Sequence, residues 1–208
     1  MNDPLTLPDA VPVMPLPGAM LFPHALLPLY IFEPRYRAML QHALGAHRMF
    51  CVTLIDAPAG EWDNVDDFCQ VATVGLIRAC VGRGDGTSNL ILQGLHRVRF
   101  AGFEQETPFP IARLEALESR PADPDEVEEL GTEVLELYRV LRRQGRQLPE
   151  KVDEYLSHLR EPEMLVDLMA ATFVSDASRR QDVLEELSVG RRLRLVIRYL
   201  REESATPM

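Results

Sequence analysis

The stretch PLPGAMLFPHALLPLYIFEPRYRAML, Pro15–Leu40, decides how the rest of the chain is read. Five prolines interrupt a run of aliphatic and aromatic residues, which then turns abruptly into Glu33-Pro34-Arg35-Tyr36. Proline has a fixed φ and no N–H to offer a sheet, so repeated prolines interrupt strand pairing and stiffen corners. Between them, AVPVMPL (Ala10–Leu16) and LPLYIF (Leu27–Phe32) are apolar enough to form short strands. Glu33 then stands where a helix cap belongs, and Pro34 suits the first helical position. Tyr36, Met39, Leu40 and Ala43 follow at helical spacing, and Gly45 is expected to close the helix.

Downstream, RMFCVTLID and FCQVATVGLIRACV are continuous apolar runs, the pattern of strands buried on both faces. GRGDGT (Gly82–Thr87) is a turn leading into NLILQG. LHRVRFAGF and FPIARLEAL then alternate in polarity. Many short strands with Gly/Pro punctuation predict a small barrel or sandwich over residues 1–120.

The period changes at Pro121-Ala122-Asp123-Pro124, in a linker expected over Glu118–Pro124. Asp123 with Glu126 opens a helix carrying Val127, Leu130, Val134, Leu137, Tyr138 and Leu141. Further helices are expected from Pro149, with Val152, Tyr155, Leu156 and Leu159 inside, and from Pro162, with Leu165, Leu168, Met169 and Phe173. Ser178 and Gln181 resemble a capping box for a helix ending at Leu187, and Ser188 caps a last helix lined by Leu193, Val196, Ile197 and Leu200. Residues 121–208 therefore read as a helical bundle domain.

A chain of 208 residues can bury a substantial core. Its net charge of -10 opposes binding to a phosphate backbone or an acidic membrane. Residues 1–122 carry 9 Arg/Lys against 13 Asp/Glu, and 123–208 carry 13 against 19, so neither half is a basic nucleic-acid module. Cys51, Cys69 and Cys80 are odd in number, lack CxxC spacing and lie in apolar runs, where cysteine behaves as a small buried hydrophobe. The N-terminus has no basic start, and the apolar run Met20–Phe32 is too short to span a bilayer. A reducing, cytoplasmic location is expected.

The same residues resemble the N-terminal, substrate-binding domain of Lon proteases. Pro15-Leu16-Pro17, Leu21-Phe22-Pro23, Leu27-Pro28-Leu29 and Ile31-Phe32-Glu33-Pro34-Arg35-Tyr36 are similar to that family's signature. Gly75 and the run Gln93–Arg99 match its later strands, and the helical segment Leu165–Leu200 is similar to the bundle that precedes the ATPase module. The likeness covers roughly residues 10–203. His24 departs from it, because family members commonly have glycine after Phe-Pro. The resemblance implies an α+β fold, with a PUA-like small β-barrel, one inserted helix and a C-terminal α-helical bundle. It implies recognition of polypeptide substrates or partner proteins. Neither a GxxxxGK[ST] phosphate loop nor a Ser-Lys proteolytic motif occurs in the sequence, so a stand-alone, non-enzymatic module without cofactor is expected.

Other chemistry finds little support. His24, His42, His47, His96 and His158 have no HExxH or HxH spacing, so no metal site is expected. No nucleophile–base pair marks a hydrolase. The basic run Arg191, Arg192, Arg194, Arg198 and Arg201 is flanked by Glu185, Glu186, Glu202 and Glu203, as on a solvated helix face. RNA binding, known among PUA-like barrels, is the alternative, and the net charge argues against it. The candidate peptide-binding residues are Phe32, Glu33, Arg35 and Tyr36: first-turn N–H groups, a planar donor and an aromatic edge would share one rim there. The same residues equally suit closing the end of a barrel, with Glu33 paired to Arg35, or across it to Arg97 or Arg99.

Overall fold

The computed structural model describes residues 6–57, 60–146 and 148–205. Six strands come first: β1 Ala10–Leu16, β2 Leu26–Ile31, β3 Met49–Leu54, β4 Val71–Gly82, β5 Ser88–Gln105 and β6 Ile111–Ala116. Helix α1, Pro34–Gly45, lies between β2 and β3. Five helices follow: α2 Pro124–Arg143, α3 Glu150–His158, α4 Pro162–Phe173, α5 Ala177–Glu185 and α6 Val189–Ala205. The chain divides into two compact units. The β-rich unit runs to Leu21 and resumes over Leu26–Leu117, and the helical unit takes Phe22–Ala25 together with the chain from Glu118 onward.

The β-rich unit is a mixed sheet in the order β2-β5-β4-β3-β1-β6, with β5 also paired to β6. The β5–β6 ladder closes a ring of five strands, and β2 stands outside it on the first half of β5. In place of the clean barrel expected, the strands form one six-stranded mixed sheet with an added β5–β6 pairing and β2 at its edge. NLILQG and LHRVRFAGF, read as two strands, form the single 18-residue β5. Register shifts in β5, at Leu95 against β4 and at Phe100/Gly102 and Phe103/Gln105 against β6, let it serve β2 at one end and β6 at the other. β1 and β3 run parallel, Val13 opposite Cys51, which requires a crossover; β2 and α1 supply it.

Two apolar clusters explain why β3 is buried throughout. Its Met49 and Cys51 join Val11, Val13, Val74 and Val98 in one. Its Phe50 and Val52 join Ile31, Leu90, Leu92 and the stripe Tyr36, Met39, Leu40 and Ala43 of α1 in the other. An inserted helix therefore covers the face of the sheet that the ring does not enclose.

Helix α1 starts at Pro34 and ends at Gly45 as expected, but without the expected cap. Glu33 makes no capping bond; its carboxylate accepts instead from Arg35 Nε at 2.9 Å. Past Gly45 the chain turns at Arg48, whose φ is +57° and whose N–H donates to the Ala43 carbonyl at 2.8 Å. His24 also has a positive φ, at +66°. A left-handed conformation is what glycine adopts without strain, so the glycine that the family resemblance implies here would fit this turn. The expected burial of all three cysteines needs correcting as well: Cys51 is fully buried and burial pushes its thiol up, but Cys69 and Cys80 are half-buried.

In the helical unit the apolar stripes meet as their spacing predicts: Val134, Tyr138 and Leu141 of α2, Leu165, Met169 and Phe173 of α4, and Leu193, Val196, Ile197 and Leu200 of α6 are buried. Asp123 caps α2 by accepting from the N–H groups of Asp125 and Glu126. On α3, Leu156 and the following Leu159 are buried, while Val152 and Tyr155, expected inside, are exposed. That helix is nine residues long and too short to bury two faces. α5 starts two residues earlier than expected, capped by Asp176 instead of Ser178, with Asp176 accepting from Arg179 N–H at 2.9 Å and from the Ser178 hydroxyl at 2.6 Å. It ends at Glu185, short of Leu187; beyond it the Val189 N–H, which would continue the helix by donating to Glu185, donates instead to the Arg120 carbonyl at 3.2 Å.

The basic run of α6 is not uniformly solvated. Arg191, Arg194, Arg198 and Arg201 are exposed, but Arg192 is completely buried. Its guanidinium donates to Asp167 at 3.0 Å, to Glu163 at 2.9 Å and to the Ser119 hydroxyl at 2.6 Å. One turn of helix therefore anchors the first residues after the sheet.

Candidate functional site

β2 pairs with β5 alone, so it is an edge strand, where Pro28 is tolerated because one side of the strand has no ladder to complete. Its side chains alternate. Ile31 is buried and Leu27 and Leu29 pack against the core, as a strand lying on a sheet requires. The opposite set, Leu26, Pro28, Tyr30 and Phe32 beyond the strand's end, is equally apolar and faces solvent. Leu26, Tyr30 and Phe32 retain 63%, 48% and 57% of their surface, values far above those of the core.

Register extends this stripe across three strands. Tyr30 lies opposite Asn89, which lies opposite Val81; Pro28 lies opposite Ile91, which lies opposite Ala79. Val81 is 64% exposed. These residues line a shallow depression of about 350 Å³. Tyr30 and Phe32 stack with ring centroids 5.7 Å apart, extending the apolar surface to the first turn of α1. Arg83, from the turn joining β4 to β5, lies over the Tyr30 ring at 5.5 Å.

The structure separates the four residues singled out in the sequence. Phe32 belongs to the exposed stripe. Glu33 and Arg35 pair with each other at 2.9 Å, both partly exposed, while Arg99 pairs with Glu115 at 3.5 Å and takes no part. Tyr36 is buried, and its hydroxyl donates to the Pro15 carbonyl at 3.2 Å. Burial raises the Tyr36 phenol above its ordinary value, against the opposing pull of Arg35. The Arg35 guanidinium lies over both the Tyr36 ring, at 4.7 Å, and the Trp62 ring, at 5.2 Å. Tyr36 thus holds the rim in place from below, and Arg35 sits on it. Leu26, Tyr30 and Val81 escaped the reading of the sequence. The signal was present: a continuously apolar run containing proline describes an edge strand, and an edge strand apolar on both sides leaves one side uncovered.

Among the described residues no group of three or more histidine, cysteine or carboxylate side chains could hold a metal. No helix among them is long and apolar enough to cross a membrane. What the arrangement offers is apolar area, an open strand edge and cations on its border.

A family model described as the ATP-dependent protease La (LON) substrate-binding domain matches residues 10–202. The chain belongs to the Lon substrate-binding domain family. Among curated proteins, it is 27% identical to the Lon protease of Dictyoglomus thermophilum over 203 residues, covering 98% of this chain and 26% of that protein. It is 29% identical over 195 residues to the Lon protease of Anaeromyxobacter dehalogenans, covering 93% of this chain and 23% of that protein. The chain thus spans about a quarter of the length of these Lon proteases. Among solved structures, the N-terminal domain of a Mycobacterium avium complex Lon protease matches with a TM-score of 0.71 at 19% identity, covering 93% of this chain and 98% of that one. A Lon N-terminal domain protein from Xanthomonas campestris matches with a TM-score of 0.65 at 20% identity, covering 91% and 98%. These two likenesses establish the Lon N-terminal fold, a mixed α+β arrangement.

Proposed function

We propose that this chain is a non-enzymatic substrate-recognition module of the Lon type, serving proteolysis in a reducing cytoplasm, and that it holds extended polypeptide on the outer face of β2. The observation that carries the reading is the exposed apolar stripe Leu26, Pro28, Tyr30 and Phe32 on an edge strand, in a member of a substrate-binding family. An extended chain laid along such a strand gains backbone hydrogen bonds at the edge and apolar contact at alternate side chains. Phe32 and the Arg35–Glu33 pair form the rim at the helix start, and Tyr36 supports it. In fold terms we read the five-strand ring as a PUA-like barrel, with β2 and α1 laid on its outside. The free thiols of Cys51, Cys69 and Cys80 fit a reducing compartment.

The test is a fluorescence anisotropy titration of the full chain against a labelled, permanently unfolded polypeptide. Micromolar or weaker binding is expected, and Tyr30→Ser with Phe32→Ser should reduce it at least tenfold. Both side chains are exposed, so the melting temperature should hardly move. Glu33→Ala with Arg35→Ala should weaken binding less. No affinity of the wild-type chain for any unfolded polypeptide would end this reading.

A further inference from the structure

Two arginines held by neutral amides stand at the borders of the apolar face. At the Tyr30 end is Arg83, over the ring; at the Leu26 end is Arg78, which donates through Nε to the Gln93 side chain, and Gln93 lies opposite Leu26. Asn89, with its side-chain oxygen turned toward Arg83, accepts from Nη2 at 2.9 Å and from Nε at 3.2 Å. Both guanidinium groups are therefore steadied by neutral amides, whereas Arg35 and Arg99 of the same unit hold carboxylates. The two carboxylates that neighbour the Arg83 end in sequence are already engaged. Glu33 serves Arg35, and Asp85 accepts from the Thr87 hydroxyl at 2.7 Å and from its N–H at 2.9 Å. Those Thr87 bonds are the main reason the Asp85 carboxyl lies below its ordinary range, and Arg83 adds the weakest contribution. Two positioned cations thus border an apolar surface, on a molecule whose net charge is -10.

Resting on the function proposed above, we propose that the segment this face selects is a short extended stretch with alternate apolar side chains and an acidic residue at each end. The Leu26 and Tyr30 rows are four residues apart along β2, so a strand laid beside it spans them in about 13 Å. A four- or five-residue apolar core flanked by Asp or Glu matches that span. Amide-held arginines keep their geometry without an internal counter-ion, so a carboxylate arriving there replaces no existing ion pair. A net charge of -10 repels acidic chains on average, so two arginines beside an apolar face favour their approach there.

Three labelled peptides with one alternating Val/Tyr core test this, flanked at both ends by Asp, by Ser or by Lys. At low salt the Asp-flanked peptide should bind the full chain about five- to tenfold tighter than the Ser-flanked one, with the Lys-flanked one weakest. The preference should vanish near 0.5 M salt (a value set by screening, roughly a 4 Å Debye length) and in Arg78→Gln with Arg83→Gln, whose fold is checked by circular dichroism. Equal affinities for all three peptides, or an Asp preference that survives in the double variant, overturn the acidic-flank inference and leave the proposed function standing. Failure of every peptide to bind removes both. A concentration-dependent dimer that Tyr30→Ser abolishes would assign the face to a second copy of the chain and overturn the inference.

Discussion

Single side chains show where this protein commits its charges. Arg192 has no exposed surface and neither has Asp167, its partner at 3.0 Å. A guanidinium so placed has lost its hydration, and only the acceptors around it offset that loss. Arg192→Met should destabilise the chain by about 3–5 kcal/mol, because it removes the cation and leaves the buried carboxylate behind. Arg192→Met combined with Asp167→Leu should recover much of that loss, since apolar packing can replace a buried ion pair. Urea denaturation of the two variants and the wild type decides it; a single variant within about 1 kcal/mol of wild type would show that the pair is not structural. Around the candidate site the logic is reversed. Arg35 lies on aromatic rings with Glu33 beside it, partly in water, and contributes shape more than stability.

Among the elements, β5 carries most of the design. Eighteen residues long, it contributes to the ring at one end and holds β2 at the other, and it reaches both by bending at bulges. Gly75 of β4 marks a close approach inside the core. A Cβ there would lie 2.6 Å from Leu92 Cγ and 2.8 Å from Leu21 Cδ2, and both leucines are fully buried. Gly75→Ala should therefore overpack the core beneath β2 and cost about 1–3 kcal/mol, read as a lower melting temperature. Because β2 rests on that core, polypeptide binding should weaken with it. A Gly75→Ala chain as stable as the wild type would show that the leucines repack without cost. In the sequence, Gly75 is recognisable only through its likeness to the family; nothing local shows that a leucine seventeen residues further along the chain fills the space.

On the scale of the whole molecule, charge and missing motifs set the expected behaviour. The chain has no GxxxxGK[ST] loop and a net charge of -10, so the purified protein should neither bind nor hydrolyse ATP. For the same reason RNA should bind weakly at most, with any affinity collapsing as salt is added. Turnover of ATP that persists through repurification, or RNA binding that resists salt, would contradict the reading as a polypeptide-binding module.

Much of this was decided by sequence alone. The proline-broken run Pro15–Leu40, the helix start at Pro34 and the stripes of α2, α4 and α6 follow from local periodicity, which each residue and its near neighbours carry. Family membership was legible for the same reason, in contiguous motifs such as Phe32-Glu33-Pro34-Arg35-Tyr36. Tertiary structure decided what periodicity cannot encode. Whether Arg192 faces water or Asp167 depends on a helix 25 residues away in sequence. Which face of β2 stays uncovered depends on where α1 packs, and the Tyr30–Asn89–Val81 row exists only through register with β5 and β4. Strand pairing and burial are set by partners distant in sequence, so the stripe that makes the candidate site was written in the chain but became a surface only on folding.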